Sequence, residues 1–305
     1  MESPNISIAE ISFAVSLRNK VILQELDPAY QTFCCKKTVD ADTITVRIQP
    51  ESQGPWDIGK LAGIFETGRS WSIYRDGTTR ILTVNPPGFE KDPLCMAGFE
   101  EAVEEVTVFY NKIHMKETDG RLILPNPFSY PLDRLLMMYA LAKRKGAMFH
   151  AAGIEMSGGG YMFAGLSGTG KSTLSRQFVS LKGPVVLSDE RVAVRKTGSG
   201  FRIFGTPWPG DERIAVNRGL PLSGIFLIGH GLVNSMEAIK PADAVQKLMP
   251  LMSIPWYDTA IMAEVLIFAE DLISSVPIYE LLFTPGREIV HALHELAGKA
   301  DAYAL

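Results

Sequence analysis

The segment Tyr161 to Thr173, YMFAGLSGTGKST, sets Gly165, Gly170, Lys171 and Ser172 in the pattern G-x-x-x-x-G-K-[ST], whose chemistry is the cradling of phosphate. Glycines let the backbone curl until its N–H groups face an anion, and a helix that follows adds its positive end. Gly165, Leu166, Ser167, Gly168, Thr169, Gly170, Lys171, Ser172 and Thr173 are therefore the expected nucleotide-binding residues, rather than a plain glycine-rich turn. Lys171 would reach the β- and γ-phosphates, and the Ser172 hydroxyl would bind Mg²⁺.

Three other groups stand at informative distances. Asp189 and Glu190 follow, with Asp189 18 residues after Lys171, which leaves room for one helix and one turn. The pair is thus expected on a neighbouring strand, at the end nearest the phosphates. Carboxylates there hold Mg²⁺, and a free one can take a proton from an attacking hydroxyl or water. The competing reading is a solvated acidic turn; the apolar or small residues before Asp189 speak for burial. His150 lies 21 residues before Lys171 in an apolar strand, a setting where histidine is more often a satisfied core residue than a catalyst. Arg213 and Arg218 sit in FGTPWPGDERIAVNRG, residues 204 to 219. Arginine's planar fork suits phosphate oxygens, although an exposed loop of mixed charge reads the same way.

The elements that must hold these groups follow from pattern. AMFHAAGIEM reads as a strand, Gly158 to Gly160 as a turn, and the run before Gly165 as the strand feeding the loop. A helix is expected from Lys171 to Lys182, ended by Gly183-Pro184. VVLSDERVAV is expected as one buried strand with both carboxylates at its middle, continuing into the hairpin VAVRKTGSGFRIFG. Further on come a strand in PLSGIFLIGHG, a helix from Pro241, a strand in VPIYELLF and a last helix capped by Thr284. His291 and His294, three apart on that helix, lack nearby cysteine and read as C-terminal helix cations rather than metal ligands. Upstream, LDRLLMMYALAKRK reads as a helix with Pro131 in its first turn and Gly146 as its cap. The first 125 residues or so read mostly as strands, including IAEISFAV, DTITVRI and a hairpin across Trp71 to Val84 turning at Asp76-Gly77. EEAVEEVTVFY fits helix or strand. The prolines of LPNPFSYP, residues 124 to 131, mark the expected boundary between a β-rich domain over 1–125 and a nucleotide-binding domain over 126–305.

Composition bounds the partners. The 305 residues suffice for two domains, and a net charge of −4 offers no general attraction to nucleic acid or an anionic membrane. The start MESPNISIAE lacks the features of a signal peptide, and the apolar run AIMAEVLIFAEDLI is interrupted by Glu264, Glu270 and Asp271. Three cysteines, without C-x-x-C spacing, fit a reduced cytoplasmic protein with no zinc site.

The motif context discriminates among phosphate-loop proteins. The near match NKIH to a GTPase base-reading motif lies upstream and lacks its aspartate, and MSGGG precedes the loop, so it cannot serve as a transport-ATPase signature. What remains is a strand with HAAG, a turn, the phosphate loop, one helix, then SDE. In this order residues 147 to about 295 resemble the kinase domain of the HPr kinase/phosphorylase family, and GLSGTGKSTLS is similar to the loop of ATP-dependent phosphoenolpyruvate carboxykinases. The first 125 residues do not match that family's usual N-terminal domain.

The resemblance implies an α/β fold, a mixed sheet with flanking helices, preceded by a smaller β-rich α+β domain. It implies ATP and Mg²⁺ as cofactors. His150 matches the active-site histidine, Lys171 the phosphate-binding lysine, and Asp189 the acid that accepts the substrate proton. Ser172, Asp189 and Glu190 form the implied metal set, with Glu190 standing where the family more often has aspartate. Arg213, or behind it Arg218, stands for the catalytic arginine. The expected activity is transfer of a γ-phosphoryl group to a serine of a protein or peptide. A small-molecule hydroxyl acceptor and a non-catalytic nucleotide sensor are the alternatives, and a homo-oligomer is possible within the family. The segment by which true HPr kinases grip their substrate has no convincing match, so the chain reads as a divergent relative.

Overall fold

The computed structural model describes residues 5–17, 21–35, 42–50, 54–68, 70–85, 93–111, 113, 115–179, 185–286, 288–293 and 295. His294 and the expected helix end at Lys182 to Pro184 lie outside them. Contacts divide the chain into two compact units, one of Met1–Lys143 with Pro255–Ile261, the other of Arg144–Ile254 with Met262–Leu305. No described helix is long and apolar enough to cross a membrane.

The first unit holds twelve strands among the described residues: β1 (Asn5–Ile8), β2 (Ile11–Ser16), β3 (Val21–Leu23), β4 (Cys34–Cys35), β5 (Thr43–Gln49), β6 (Ala62–Glu66), β7 (Trp71–Asp76), β8 (Thr79–Val84), β9 (Cys95–Phe99), β10 (Glu105–Tyr110), β11 (Lys116–Thr118) and β12 (Arg121–Leu124). Nine of them form one sheet in the order β4-β1-β2-β5-β10-β9-β8-β7-β6, and β11-β12-β3 form a second. The segment expected as one strand in IAEISFAV is a hairpin, because Ala9 and Glu10 both take positive φ and turn β1 onto β2. The ambiguous EEAVEEVTVFY is strand β10, whose alternate residues Val106, Val108 and Tyr110 are buried. The hairpin at Trp71 to Val84 is present, but Asp76 pairs with Thr79 and only Gly77 takes positive φ, so the turn begins one residue later than expected.

Helix α1 (Leu132–Lys143) counts with this unit, so the contacts divide the chain after Lys143 rather than at 125/126. Side-chain bonds explain it. Asp133 accepts a hydrogen bond from the Tyr30 hydroxyl at 2.6 Å, and Tyr139 packs edge-on to Phe99. With Pro255–Ile261 added, the first unit is only slightly smaller than the second. Lys145, not Gly146, takes the left-handed conformation after α1, and Gly146 already begins the next strand.

The second unit contains β13 (Gly146–Met156), β14 (Gly159–Ala164), α2 (Lys171–Val179), β15 (Val186–Ser188), β16 (Arg191–Thr197), β17 (Gly200–Gly205), β18 (Gly219–His230), β19 (Ser235–Ala238), α3 (Pro241–Leu248), β20 (Met252–Ser253) and β21 (Ile278–Phe283), with α4 (Thr259–Ser275) for the most part. A last helical stretch covers 288–293. Its sheet is mixed: β13 runs antiparallel to β14 and β16, while β14, β18 and β21 are parallel neighbours. The pairings β13–β14–β18–β17–β16–β13 close a ring, because the long strands β13 and β18 each serve two sets of neighbours. Phe163, Leu174, Phe178, Phe226, Phe283 and Ile289 belong to the core cluster between the parallel strands and the helices, and each is essentially excluded from solvent. Fully burying an aromatic or leucine side chain of this kind is worth about 1.5–3 kcal/mol. These side chains form the packed base under the Gly165–Gly170 loop.

Candidate functional site

Strand β14 ends at Ala164 and the chain turns through Gly165–Gly170 into α2, as the glycine pattern predicts. Gly168 and Gly170 have φ of +84° and +100°, a region where side chains are strained. At Gly170 a Cβ would also come within 2.8 Å of the Phe283 ring. The Gly165 amide donates to the carbonyl of His150 at 3.3 Å, so the loop and the histidine strand are joined at the site itself. Lys171, only 6% exposed, donates from Nζ to the carbonyls of Gly165 at 2.8 Å and Leu166 at 3.0 Å. The ammonium is held inside the curl of its own loop.

Asp189 and Glu190 do not lie within one strand. The chain breaks there, between β15 and β16, where β13 shifts register between Gly153 and Ile154. The break separates the two carboxylates. Asp189 is 1% exposed, with Oδ1 accepting from the Gly210 amide and Oδ2 from the Glu212 amide, both at 2.9 Å. Glu190 keeps a 37% exposed side chain, with Oε1 4.0 Å from His150 Nε2 and 4.0 Å from an Arg191 nitrogen. His150 pairs in register with Arg191 across β13 and β16, which brings His150, Glu190 and Arg191 together.

The electrostatics of this cluster favour an anion. Burial pulls the Lys171 ammonium below its ordinary value; the Glu190 carboxylate opposes this and the Arg191 charge adds to it. Burial, then the Lys171 and Arg191 charges, pull His150 down to about 4, which leaves it neutral near pH 7. A polyanion placed here would relieve each of these penalties.

Segment 206–218 crosses between β17 and β18. Glu212 accepts from Arg176 of α2 at 3.1 Å, and the Val216 amide donates to Leu187 at 2.9 Å. The two candidate arginines differ. Arg218 is paired with Glu155 at 2.7 Å, whereas the exposed Arg213 side chain has no partner among the described residues. Arg213 also holds a left-handed backbone, φ 53°, uncommon outside glycine.

Sequence reasoning missed two members. Arg191 donates to Ser253 Oγ at 2.7 Å and charges the pocket, yet it reads as an ordinary strand residue. His230, at the end of β18, donates from Nε2 to the Gly168 carbonyl at 2.7 Å; only the parallel pairing of β14 and β18 brings it there. Ser172 is half-buried at the first turn of α2. Among the described residues no cluster of three or more His, Cys, Asp and Glu is arranged around a metal position. Compared with protein-family models and with curated proteins, the chain finds no match in either.

Proposed function

We propose that the protein is an ATP- and Mg²⁺-dependent kinase that transfers the γ-phosphoryl group to a hydroxyl, most simply a serine of a protein or peptide. The observation that carries this reading is the convergence of the Lys171 loop with His150, Glu190 and Arg191 in one partly buried cluster whose cations are destabilised by burial and by one another. Ser172 and Glu190 would hold Mg²⁺, which neutralises charge on the transferring phosphates. Loop amides and Lys171 bind the leaving phosphates. The acceptor oxygen forms a bond to the γ-phosphorus as the bond to the β–γ bridging oxygen breaks, and ADP departs. The hydroxyl proton passes to neutral His150, whose basicity rises once the bound phosphates offset the Lys171 and Arg191 charges. The resemblance gives the proton to Asp189; the two amide bonds on that carboxylate favour His150 instead.

Transfer of this kind asks mainly for positioning and charge neutralisation. Incubation of the full chain with γ-labelled ATP and cell extract tests it. Label on a peptide or protein is expected; label on a metabolite would reassign the acceptor, and nucleotide binding without any transfer would reduce the protein to a sensor. Lys171→Ala should abolish labelling with the fold intact.

A further inference from the structure

The buried carboxylate of Asp189 and the Arg213 guanidinium, exposed and unpaired among the described residues, are joined through three residues of backbone. Asp189 Oδ1 and Oδ2 accept the amides of Gly210 and Glu212, and the Arg213 amide donates to the Gly210 carbonyl at 3.1 Å. A Cβ at Gly210 would lie 2.8 Å from Asp189 Oδ2 and 3.1 Å from Glu190, so a side chain there would displace the Asp189 carboxylate. From the other side, Arg176, five residues after Lys171 on α2, grips Glu212. Segment 210–213 is therefore clasped between the end of β15 and helix α2, and Arg213, at the end of the clasped segment, takes the left-handed conformation.

From this geometry we infer that Asp189 is a positioning residue: it holds the 210–212 amides so that Arg213 is presented to the transferring phosphoryl group. This deepens the kinase reading and rests on it. An ionised carboxylate is suited to the task because each oxygen can take one charge-assisted N–H bond. An asparagine offers one acceptor and turns a donor toward the second amide, so one bond becomes a repulsion.

The test uses the full chain and two probes, Mg·ADP and Mg·ADP with aluminium fluoride, which mimics the phosphoryl group in flight. Asp189→Asn and Arg213→Ala should each leave Mg·ADP affinity nearly unchanged and each reduce the extra affinity for the aluminium fluoride complex by about 100-fold. Because both act through one arginine, the double variant should be no worse than either single one. Hydrogen exchange should show the Gly210 and Glu212 amides losing protection in Asp189→Asn and keeping it in Arg213→Ala. Gly210→Ala, which leaves the carboxylate chemically intact, should reproduce the loss and serves in place of Asp189→Asn should that variant not fold. Unchanged aluminium fluoride affinity in Asp189→Asn, additive losses in the double variant, or unchanged amide protection would each overturn the proposal. Failure of the unmodified protein to bind Mg·ADP would instead sink the kinase reading, and the exchange result would still judge the clasp.

Discussion

The buried charges around Arg80 in the first unit and around Lys171 in the second are built on opposite principles. In the first unit Arg80, 4% exposed, donates to Asp258, fully buried, and the Tyr139 hydroxyl donates to the same carboxylate at 3.2 Å. Burial alone would pull the Arg80 guanidinium down, yet the Asp258 hydrogen bond and charge outweigh it and hold it above its ordinary value. Burial would likewise raise Asp258, and Arg80 holds it below the usual carboxylate range. Each charge in that cluster has opposite charge at hand, with Arg75 3.9 Å from Asp258 and Glu101 3.8 Å from Arg80 besides. In the second unit, Lys171 binds carbonyls rather than a carboxylate, and Glu190 stands 4.0 Å from His150 and from Arg191. Lys171 and His150 are both pushed toward their neutral forms. A saturated cluster supports a fold; an unsaturated one is suited to a ligand, because bound phosphate can supply the missing pairing.

Breaking the Arg80 cluster should have the largest effect. Asp258→Ala removes the hydrogen-bonded partner of the buried Arg80 charge, leaves it only the half-exposed Glu101 at 3.8 Å, and should cost about 3 kcal/mol, read as a loss of roughly 10 °C in melting temperature. Lys171→Met, by contrast, should cost little stability, because it removes a cation that burial already disfavours. A melting loss as large as that of Asp258→Ala would show the open cluster to be structural.

Ligand should act on one cluster only. Tripolyphosphate at about 100 times its dissociation constant should stabilise the chain by about 2.7 kcal/mol in calorimetry, and Lys171→Met should abolish this shift.

His150 sharpens the contrast through pH. Its folded value near 4 lies below the ordinary 6.5, so the unfolded chain binds the extra proton between these values. The stability His150 contributes is present above pH 6.5 and lost as pH falls toward 4. With a 25% exposed side chain the loss should be about 2 kcal/mol at most. Denaturant melts of the parent and His150→Gln at several pH values check it: the variant should lack this part of the acid slope.

The smallest effect concerns the arginines. Arg218→Ala breaks a half-exposed pair with Glu155 and should cost under about 1 kcal/mol without altering tripolyphosphate binding. Loss of binding there would return Arg218 to the site in place of Arg213.

Local pattern made much of this site legible. The glycine-rich loop, the strand before it, the helix after it and the distances to His150 and Asp189 follow from turn chemistry and from the length of one helix. The two-residue turns of the first unit were less legible, because Ala9 and Glu10 adopt positive φ without the glycine or asparagine that usually announces it. Helix α1 could not be allotted to a unit from its own residues, since the bonds that hold it involve Tyr30 and Asp258, more than a hundred residues away in either direction.

What the sequence by itself determined is the glycine-rich turn between strand and helix that carries Lys171 and Ser172, because such a loop is a local object specified by adjacent residue types. Only the tertiary structure decided how the groups around that loop are divided. It turned Asp189 onto the Gly210 and Glu212 amides, left Glu190 open, paired Arg218 with Glu155, left Arg213 unpaired among the described residues and brought in Arg191 and His230. The physical reason is that a carboxylate's partner, unlike a glycine's conformation, is set by whatever backbone or charge the fold places within hydrogen-bond reach.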